Sequence, residues 1–285
     1  MEQKEMIAGI ARALAETAEG PYTLALSGSF AKGRWDAGSD IDMHLYYSQP
    51  KDYPSRRAAI AAIADPGTDF YVAEDVTQFP WGGSTDFIYR GMPVEVTVRT
   101  MEQAETVLHQ CLEGRFQVYP AAWTTNGYYS YIYLAEFGFL QPLDDSTDFI
   151  TRCRAQCEPY PVKLRSAVVR HFLTQGSMWL GNFHYDSAIR RGDILFTAGL
   201  VQHMVYDLAQ AILALSGVFF TGDKHLKEQL AGADSCPPVF LENLTLLLCA
   251  QEDEKHLLKQ KQVLEETVKS LRNREKELHA YGVLL

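Results

Sequence analysis

Residues 26–47 carry the sequence LSGSFAKGRWDAGSDIDMHLYY, in which a glycine-serine turn precedes two aspartates that enter a strand. Apolar residues predict a buried strand over Tyr22–Ser27, and Gly28 with Ser29 opens the turn that follows it. Glycine lets the backbone approach a ligand closely, and the first amides of a following helix, together with the Ser29 hydroxyl, suit a phosphate group. The stretch therefore predicts a phosphate-binding turn at the end of a strand.

Two carboxylates follow this turn. Asp40 and Asp42 stand two residues apart where a second predicted strand, Ile41–Tyr47, begins. Because side chains alternate along a strand, both carboxylates share one face while Ile41 points into the core. Paired carboxylates repel each other unless a cation lies between them, and oxygen ligands of this kind favour Mg²⁺. We expect His44, farther along the strand, to alternate away from the carboxylates and either to be buried or to face the opposite side of the sheet.

A third carboxylate is expected from residues 93–98, PVEVTV, which predict another strand. Alternation places the three valines on one face of this strand and Glu95 on the other. A lone carboxylate on such an apolar strand is costly unless it is paired or bound to a metal. Asp40, Asp42 and Glu95 together therefore predict a two-metal site of the kind used for phosphoryl transfer.

The spacing of these residues resembles a known family. Gly28-Ser29, ten intervening residues and then Asp40-Ile-Asp42, with a carboxylate on a later strand, resemble the polymerase-β nucleotidyltransferase superfamily. A second glycine, Gly33, makes the motif especially similar to that of the aminoglycoside and lincosamide nucleotidyltransferases. The resemblance implies a nucleotidyltransferase domain in the first part of the chain.

The resemblance also implies roles for the motif residues. Gly28, Ser29 and Ser39 would hold the nucleotide phosphates, and the three carboxylates would bind two Mg²⁺ ions. Glu95 would in addition act as the base that deprotonates the acceptor hydroxyl, by analogy with the aminoglycoside enzymes.

The implied reaction moves AMP from ATP to a hydroxyl of a small molecule and releases pyrophosphate. An aminoglycoside or lincosamide acceptor would make the protein an antibiotic-resistance enzyme. Two alternatives stay open: the same chemistry on a protein or a tRNA end, as in toxin–antitoxin systems, and a non-catalytic nucleotide-binding module. The presence of all three carboxylates speaks against the second alternative.

Several cations are candidates for contact with the nucleotide. The second half resembles bacterial two-domain nucleotidyltransferases with a helical C-terminal domain, through segments 142–145, 160–165, 191–193 and 222–224. From this resemblance we expect Arg191 and Lys224 to contact the triphosphate, with Arg190 as a neighbour. Lys32 and Arg34 lie beside the glycine-serine turn and are further candidates. For each of them the alternative is a solvated surface cation.

The aromatic segment 128–139 predicts either a core helix or a surface that stacks on a substrate ring. Within it we predict that Tyr133 and Glu136 contact the substrate, Glu136 through a cationic group. The alternative for both residues is a role in the core.

The distribution of helix and strand patterns predicts an α+β fold with two domains. Residues 1–118 mix strand and helix patterns, including a hairpin around Arg90-Gly91, and predict a small mixed sheet. Residues 119–285 carry long helical patterns with little strand signal and predict a helical bundle. Leucines seven residues apart in the last helix suit either packing on that bundle or a dimer seam, so a monomer and a homodimer both stay open.

Composition and charge bear on the binding partners and the location of the protein. The 285 residues contain 26 Lys+Arg and 36 Asp+Glu, a net charge of 26 − 36 = −10, which is a poor basis for binding long nucleic acid. Five cysteines and the lack of a secretory pattern at the N-terminus predict reduced thiols and a cytoplasmic protein. The apolar stretch Ile194–Phe220 is interrupted by polar residues, so we expect a buried bundle helix rather than a membrane span.

Overall fold

The structure is a computed structural model that describes the whole chain except residues 1, 32, 34, 36 and 37 and the side chains of residues 2 and 3. Its strands are β1 Tyr22–Leu26, β2 Ile41–Tyr47, β3 Tyr71–Val72, β4 Gly83–Tyr89, β5 Met92–Thr100, β6 Val118–Tyr119, β7 Tyr128–Tyr129 and β8 Gln141–Asp144. Its helices are α1 Glu2–Ala15, α2 Gly28–Ala31, α3 Tyr53–Ala61, α4 Met101–Leu112, α5 Ile132–Phe139, α6 Phe149–Cys157, α7 Val162–Gln175, α8 Phe183–Arg191, α9 Ile194–Leu215, α10 Leu226–Ala231, α11 Pro238–Glu242, α12 Leu244–Leu248 and α13 Glu254–Ala280. The predicted α+β class is confirmed.

The chain divides into two compact units. The sheet unit comprises residues 1–110 and 133–158, and the helical unit comprises residues 111–132 and 159–285. The chain thus returns to the sheet unit once after the boundary that we predicted at residue 118. It returns because β8 pairs with β1 at the edge of the sheet and α5 and α6 pack on one sheet face. Strand β8 was not expected from the sequence.

The six strands of the sheet unit run in the order β3-β4-β5-β2-β1-β8. β2 and β5 are parallel neighbours at the centre, and the other pairs are antiparallel. One face is apolar and carries the core, where Ile41, Met43 and Leu45 of β2 pack with Leu14 of α1 and Ile60 of α3. Burial of such side chains is the main stabilising contribution to a fold of this kind.

The opposite face of the sheet is polar at one end and aromatic at the other. At the aromatic end, the Tyr46 ring lies 5.9 Å from the Phe137 ring of α5 and 5.0 Å from the Phe149 ring of α6. Two and four residues earlier along β2, His44 and Asp42 lie on this same face. The helices therefore cover one end of the face and leave the carboxylate end for a ligand.

The helical unit is built around α9. By length and composition α9 is the one helix in the described part of the chain that could cross a membrane, but 67% of its most apolar window is buried within the protein. It packs against α7, α8, α12 and α13. On α13, the leucine stripe is buried by the rest of the unit, with Leu264 and Leu271 fully inaccessible to solvent. Burial of the leucine stripe within the unit is expected if α13 packs on the helical bundle.

Candidate active site

Three carboxylates meet at the centre of the sheet, as we predicted from their spacing. Asp40, Asp42 and Glu95 each place a carboxylate oxygen within 4.8 Å of the others. Asp42 on β2 is directly opposite Glu95 on the parallel strand β5, and Asp40 precedes β2. The three groups are half-buried or exposed, so solvent and a ligand can reach them. Oxygen donors at this separation fit a hard divalent cation such as Mg²⁺.

The glycine-serine turn lies against these carboxylates. Gly28 has φ +57, and a Cβ atom added to it would lie 1.6 Å from Oδ2 of Asp42. The backbone is fixed beside Asp42 by the Ser27 amide, which donates to the Asp42 carbonyl oxygen at 2.9 Å. Only glycine fits this position, because the carboxylate occupies the space that any side chain would need.

Ser29 follows Gly28 in the same turn. Its Oγ atom is buried and has no hydrogen-bond partner in the described part of the chain. A buried hydroxyl without a partner is costly, and a ligand oxygen would satisfy it. Ser39 lies half-buried immediately before Asp40. The turn and the carboxylates together fit the group that we predicted, a nucleotide triphosphate with its bound cations.

The predicted burial of His44 is confirmed, but the prediction that it alternates away from the carboxylates was wrong. His44 is two residues from Asp42 on β2 and therefore shares its face, and both residues line one cavity of about 190 Å³. The imidazole is 7% exposed, its Nδ1 lies 3.3 Å from the Tyr46 hydroxyl, and burial lowers the pKa of His44 to about 4. A neutral imidazole thus forms part of the floor beside the carboxylates.

The sequence analysis also missed Asp86. It lies on β4 directly opposite Glu95, so it extends the row of carboxylates by one strand. Ser84 Oγ donates a hydrogen bond to its carboxylate. Burial raises the pKa of Asp86, and the hydrogen bond from Ser84 opposes that effect. Strand pairing across the Arg90-Gly91 hairpin was the available signal, because it brings Asp86 beside Glu95.

Tyr133 and Glu136, our candidates for substrate contact, are buried beyond His44. Glu136 forms an ion pair with Arg99 on β5, and its Oε2 lies 4.0 Å from His44 Nδ1. Burial by itself would raise the pKa of the Glu136 carboxyl, but the Arg99 guanidinium outweighs it, so the pKa lies below its usual value. The Tyr133 ring lies 3.8 Å from the guanidinium carbon, and its hydroxyl donates to the Pro80 carbonyl. These contacts join α5 to the sheet.

Five basic residues were predicted to lie near the nucleotide, and the structure describes three of them. Lys32 and Arg34 lie outside the described residues. Arg190 and Arg191 end α8, and Lys224 follows α9 in a loop; all three are exposed in the helical unit. Their predicted contact with the triphosphate stays a prediction. Nearby, Asp193 caps α9, because its Oδ1 accepts a hydrogen bond from the Phe196 amide at 3.3 Å.

Comparisons with known proteins identify the kind of domain that carries these residues. Residues 7–106 match the family model of the nucleotidyltransferase domain. The crystal structure of a nucleotidyltransferase-like protein from Exiguobacterium sibiricum 255-15 is similar over 96% of this chain and 79% of that chain, with 12% sequence identity and a TM-score of 0.48. No curated protein matches the chain. Residues 7–106 are therefore a nucleotidyltransferase domain of the polymerase-β superfamily, and the protein is a transferase.

Proposed function

We propose that this protein transfers AMP from ATP to a hydroxyl group of a small molecule of the aminoglycoside or lincosamide type and releases pyrophosphate. The observation that carries the proposal is the meeting of Asp40, Asp42 and Glu95 beside Gly28, within a nucleotidyltransferase domain. In a protein of net charge −10, an acidic surface also suits a cationic antibiotic.

The three carboxylates would hold two Mg²⁺ ions. When bound, such ions neutralise the triphosphate and make the acceptor hydroxyl easier to deprotonate. Asp42 lies between Asp40, which immediately precedes β2, and Glu95 on the next strand, so it is the residue best placed to bind both ions. Because Gly28 has no side chain, the Asp42 carboxylate can occupy the space beside the turn.

The bonds formed and broken follow from this arrangement. The acceptor oxygen forms a bond to the α-phosphorus, and the bond from that phosphorus to the bridging oxygen of the β-phosphate breaks. Pyrophosphate leaves with the electron pair, and Glu95 takes the proton of the hydroxyl. Gly28 and Ser29 hold the phosphates, with the unpartnered Ser29 Oγ donating to a phosphate oxygen.

A pyrophosphate-release assay tests this proposal. Each of the four nucleoside triphosphates is supplied with Mg²⁺ and a panel of aminoglycosides and lincosamides. We expect release with ATP that requires an antibiotic and falls about a hundredfold or more in Asp42→Asn. Asp234→Asn, which changes an exposed aspartate of the helical unit, is the matched control and should keep full activity.

Two results would contradict the proposal. Release that is unchanged in Asp42→Asn would mean that the carboxylates do not carry the reaction. Nucleotide binding in Mg²⁺ without release on any antibiotic would exclude an antibiotic acceptor and favour a protein, an RNA or an untested metabolite.

A further inference from the structure

A cavity of about 700 Å³ lies in the helical unit, between helix α7 and the segment that leads into strand β6. Residues of the segment 114–118 line one side of it, and residues of α7 line the other. All of them belong to the helical unit, so the cavity shares no residue with the carboxylate site of the sheet unit. Its volume is in the range of sites that hold a small molecule.

Helix α7 presents one of its faces to the cavity. The helix residues that line it recur at the spacing i, i+3, i+4 and i+7, which places them on one side of a helix. They are Ala167, Arg170, His171 and Thr174, and the adjacent Gln175 completes this side. The helix therefore offers a guanidinium, an imidazole, a hydroxyl and an amide to one ligand.

Close contacts hold the other side of the cavity against this helix. The Phe116 ring stacks on the Phe172 ring of α7, with centroids 5.7 Å apart, and meets the His171 ring edge-on at 5.4 Å. Gly114 has φ +75, and a Cβ atom added to it would lie 2.9 Å from the Lys163 carbonyl oxygen. The segment is therefore packed closely on α7, and the cavity is formed before a ligand arrives.

The lining of the cavity is positively charged. Arg115 and Arg170 are both exposed on it, and neither forms an ion pair in the described part of the chain. None of the described residues that line it is an aspartate or a glutamate. Glu113, close to Arg115 in the chain, accepts a hydrogen bond from Lys163 at 2.9 Å. Partial burial lowers the pKa of His171, so its imidazole is neutral at neutral pH and the charge comes from the two guanidinium groups.

Two unpaired guanidinium groups beside apolar side chains select the kind of ligand. A guanidinium binds two oxygens of one phosphate, and such charge-assisted hydrogen bonds are stronger than neutral ones. The Phe116 ring and the Val118 side chain, which is 39% exposed, provide apolar surface in the same cavity. A protein of net charge −10 is a poor partner for a long polyanion, so a single small anion suits the cavity better than a nucleic acid strand. A phosphate joined to a flat ring, as in a nucleoside monophosphate, matches both parts of the lining.

We propose that this cavity is a second ligand site of the protein and that it binds a nucleoside monophosphate, with Arg115 and Arg170 at the phosphate and the base against Phe116 and Val118. The inference does not depend on the proposed function, because no carboxylate of the candidate active site and no metal ion takes part. It gives the helical unit a binding role of its own.

An NMR signal from within the cavity tests the inference. The Cε1 proton signal of His171 is identified in the full chain as the signal that is missing from His171→Gln, and it is followed while AMP is added in the presence of EDTA. Because this proton lies in the cavity, the titration reports on binding there. We expect a saturable shift, with AMP binding about tenfold more tightly than adenosine or inorganic phosphate, since each of these lacks one half of the ligand. In Arg170→Gln and in Arg115→Gln the affinity for AMP should fall about tenfold.

Control variants separate this result from a folding defect and from a general effect of charge. Both arginines are exposed and unpaired, so their neutral variants should fold, which thermal melting checks. Lys269→Gln removes one positive charge from an exposed position on α13 of the same unit and should leave the affinity for AMP unchanged.

Four results would overturn the inference. They are the absence of a His171 shift, equal affinity for AMP and for adenosine or phosphate, an affinity that Arg170→Gln does not reduce, and a short single-stranded RNA that shifts the signal at a lower concentration than AMP. A failure of pyrophosphate release with this binding intact would count against the proposed function alone.

Discussion

The absence of a side chain at Gly28 leaves room for the carboxylate of Asp42. Gly28 has a positive φ, and Oδ2 of Asp42 occupies the place where its Cβ would be. A carboxylate so close to backbone must move if any atom is added there. Gly28 therefore makes room for Asp42 as well as allowing the backbone conformation of the turn.

We predict that Gly28→Ala displaces Asp42 and lowers kcat/KM for pyrophosphate release by about a hundredfold. Strain at a positive φ adds a stability cost of about 1–2 kcal/mol. The control is Gly67→Ala, at φ +80 with nothing within 4 Å of the added Cβ, which carries the strain without the clash. Activity is compared between the two variants after thermal melting has shown that both are folded. Similar activity in the two variants would contradict the prediction that Gly28→Ala acts by displacing Asp42.

The residues that the sequence predicted well are those whose roles depend on local spacing. Asp40, Asp42 and Glu95 were predicted from alternation and from a motif, and the structure brings their oxygens together. Asp86 was not predicted, because its place beside Glu95 depends on pairing across a hairpin. His44 was assigned to the wrong face, although its separation of two residues from Asp42 puts both on the same side.

At the scale of secondary-structure elements, one ion pair joins α5 to β5. Arg99 is 2% exposed and donates to the Trp81 carbonyl at 2.9 Å and to both carboxylate oxygens of Glu136. Neither partner could be matched to the other from sequence, because 37 residues separate them. The pairing of β8 with β1 is equally long-range, and Pro142 weakens the strand pattern there.

We predict that removing either partner of this pair is costly, because a buried charge is then left alone. Arg99→Met and Glu136→Leu should each lower the free energy of unfolding by about 3–5 kcal/mol. The double variant should lose less than the sum of the two, since no uncompensated charge remains. Urea unfolding at neutral pH measures all three.

The exposed pair of Lys163 and Glu113, 2.9 Å apart, provides the control. Glu113→Gln should change stability by less than about 1 kcal/mol. Additive losses in the Arg99 and Glu136 cycle would show that the two residues act independently and would contradict the expected coupling.

For the whole molecule, the sequence predicted the class but not every boundary. Mixed strand and helix patterns followed by long helices gave an α+β protein with a helical second part, as found. The sequence did not predict that residues 133–158 belong to the sheet unit, because α5 is an apolar helix that would suit either unit. Helical periodicity shows which face of α5 is buried but not which partner buries it.

The stability of the whole chain depends on pH, and two buried groups contribute to this dependence with opposite signs. His44 has a folded pKa of about 4 against an ordinary value of 6.5, so the stability it contributes is lost as pH falls between these values. Asp207 on α9 has its pKa raised by burial from 3.8 to about 7. Its ionised form is therefore unfavourable in the folded state, and the resulting destabilisation is relieved as pH falls from 7 toward 3.8.

We predict that Asp207→Asn stabilises the protein at pH 8 and that the gain shrinks at pH 5. Asparagine has the same shape without the charge, so it removes the cost that ionised Asp207 imposes above its folded pKa. The difference between the gains at the two pH values should be on the order of 2 kcal/mol. Each variant is compared with the wild type at the same pH by thermal melting, so the contribution of His44 cancels. Asp234→Asn, at an exposed site, should change the melting temperature little at either pH. A gain for Asp207→Asn that is equal at pH 8 and pH 5, or a loss at pH 8, would show that the folded protein tolerates this charge and that burial on α9 does not raise its cost.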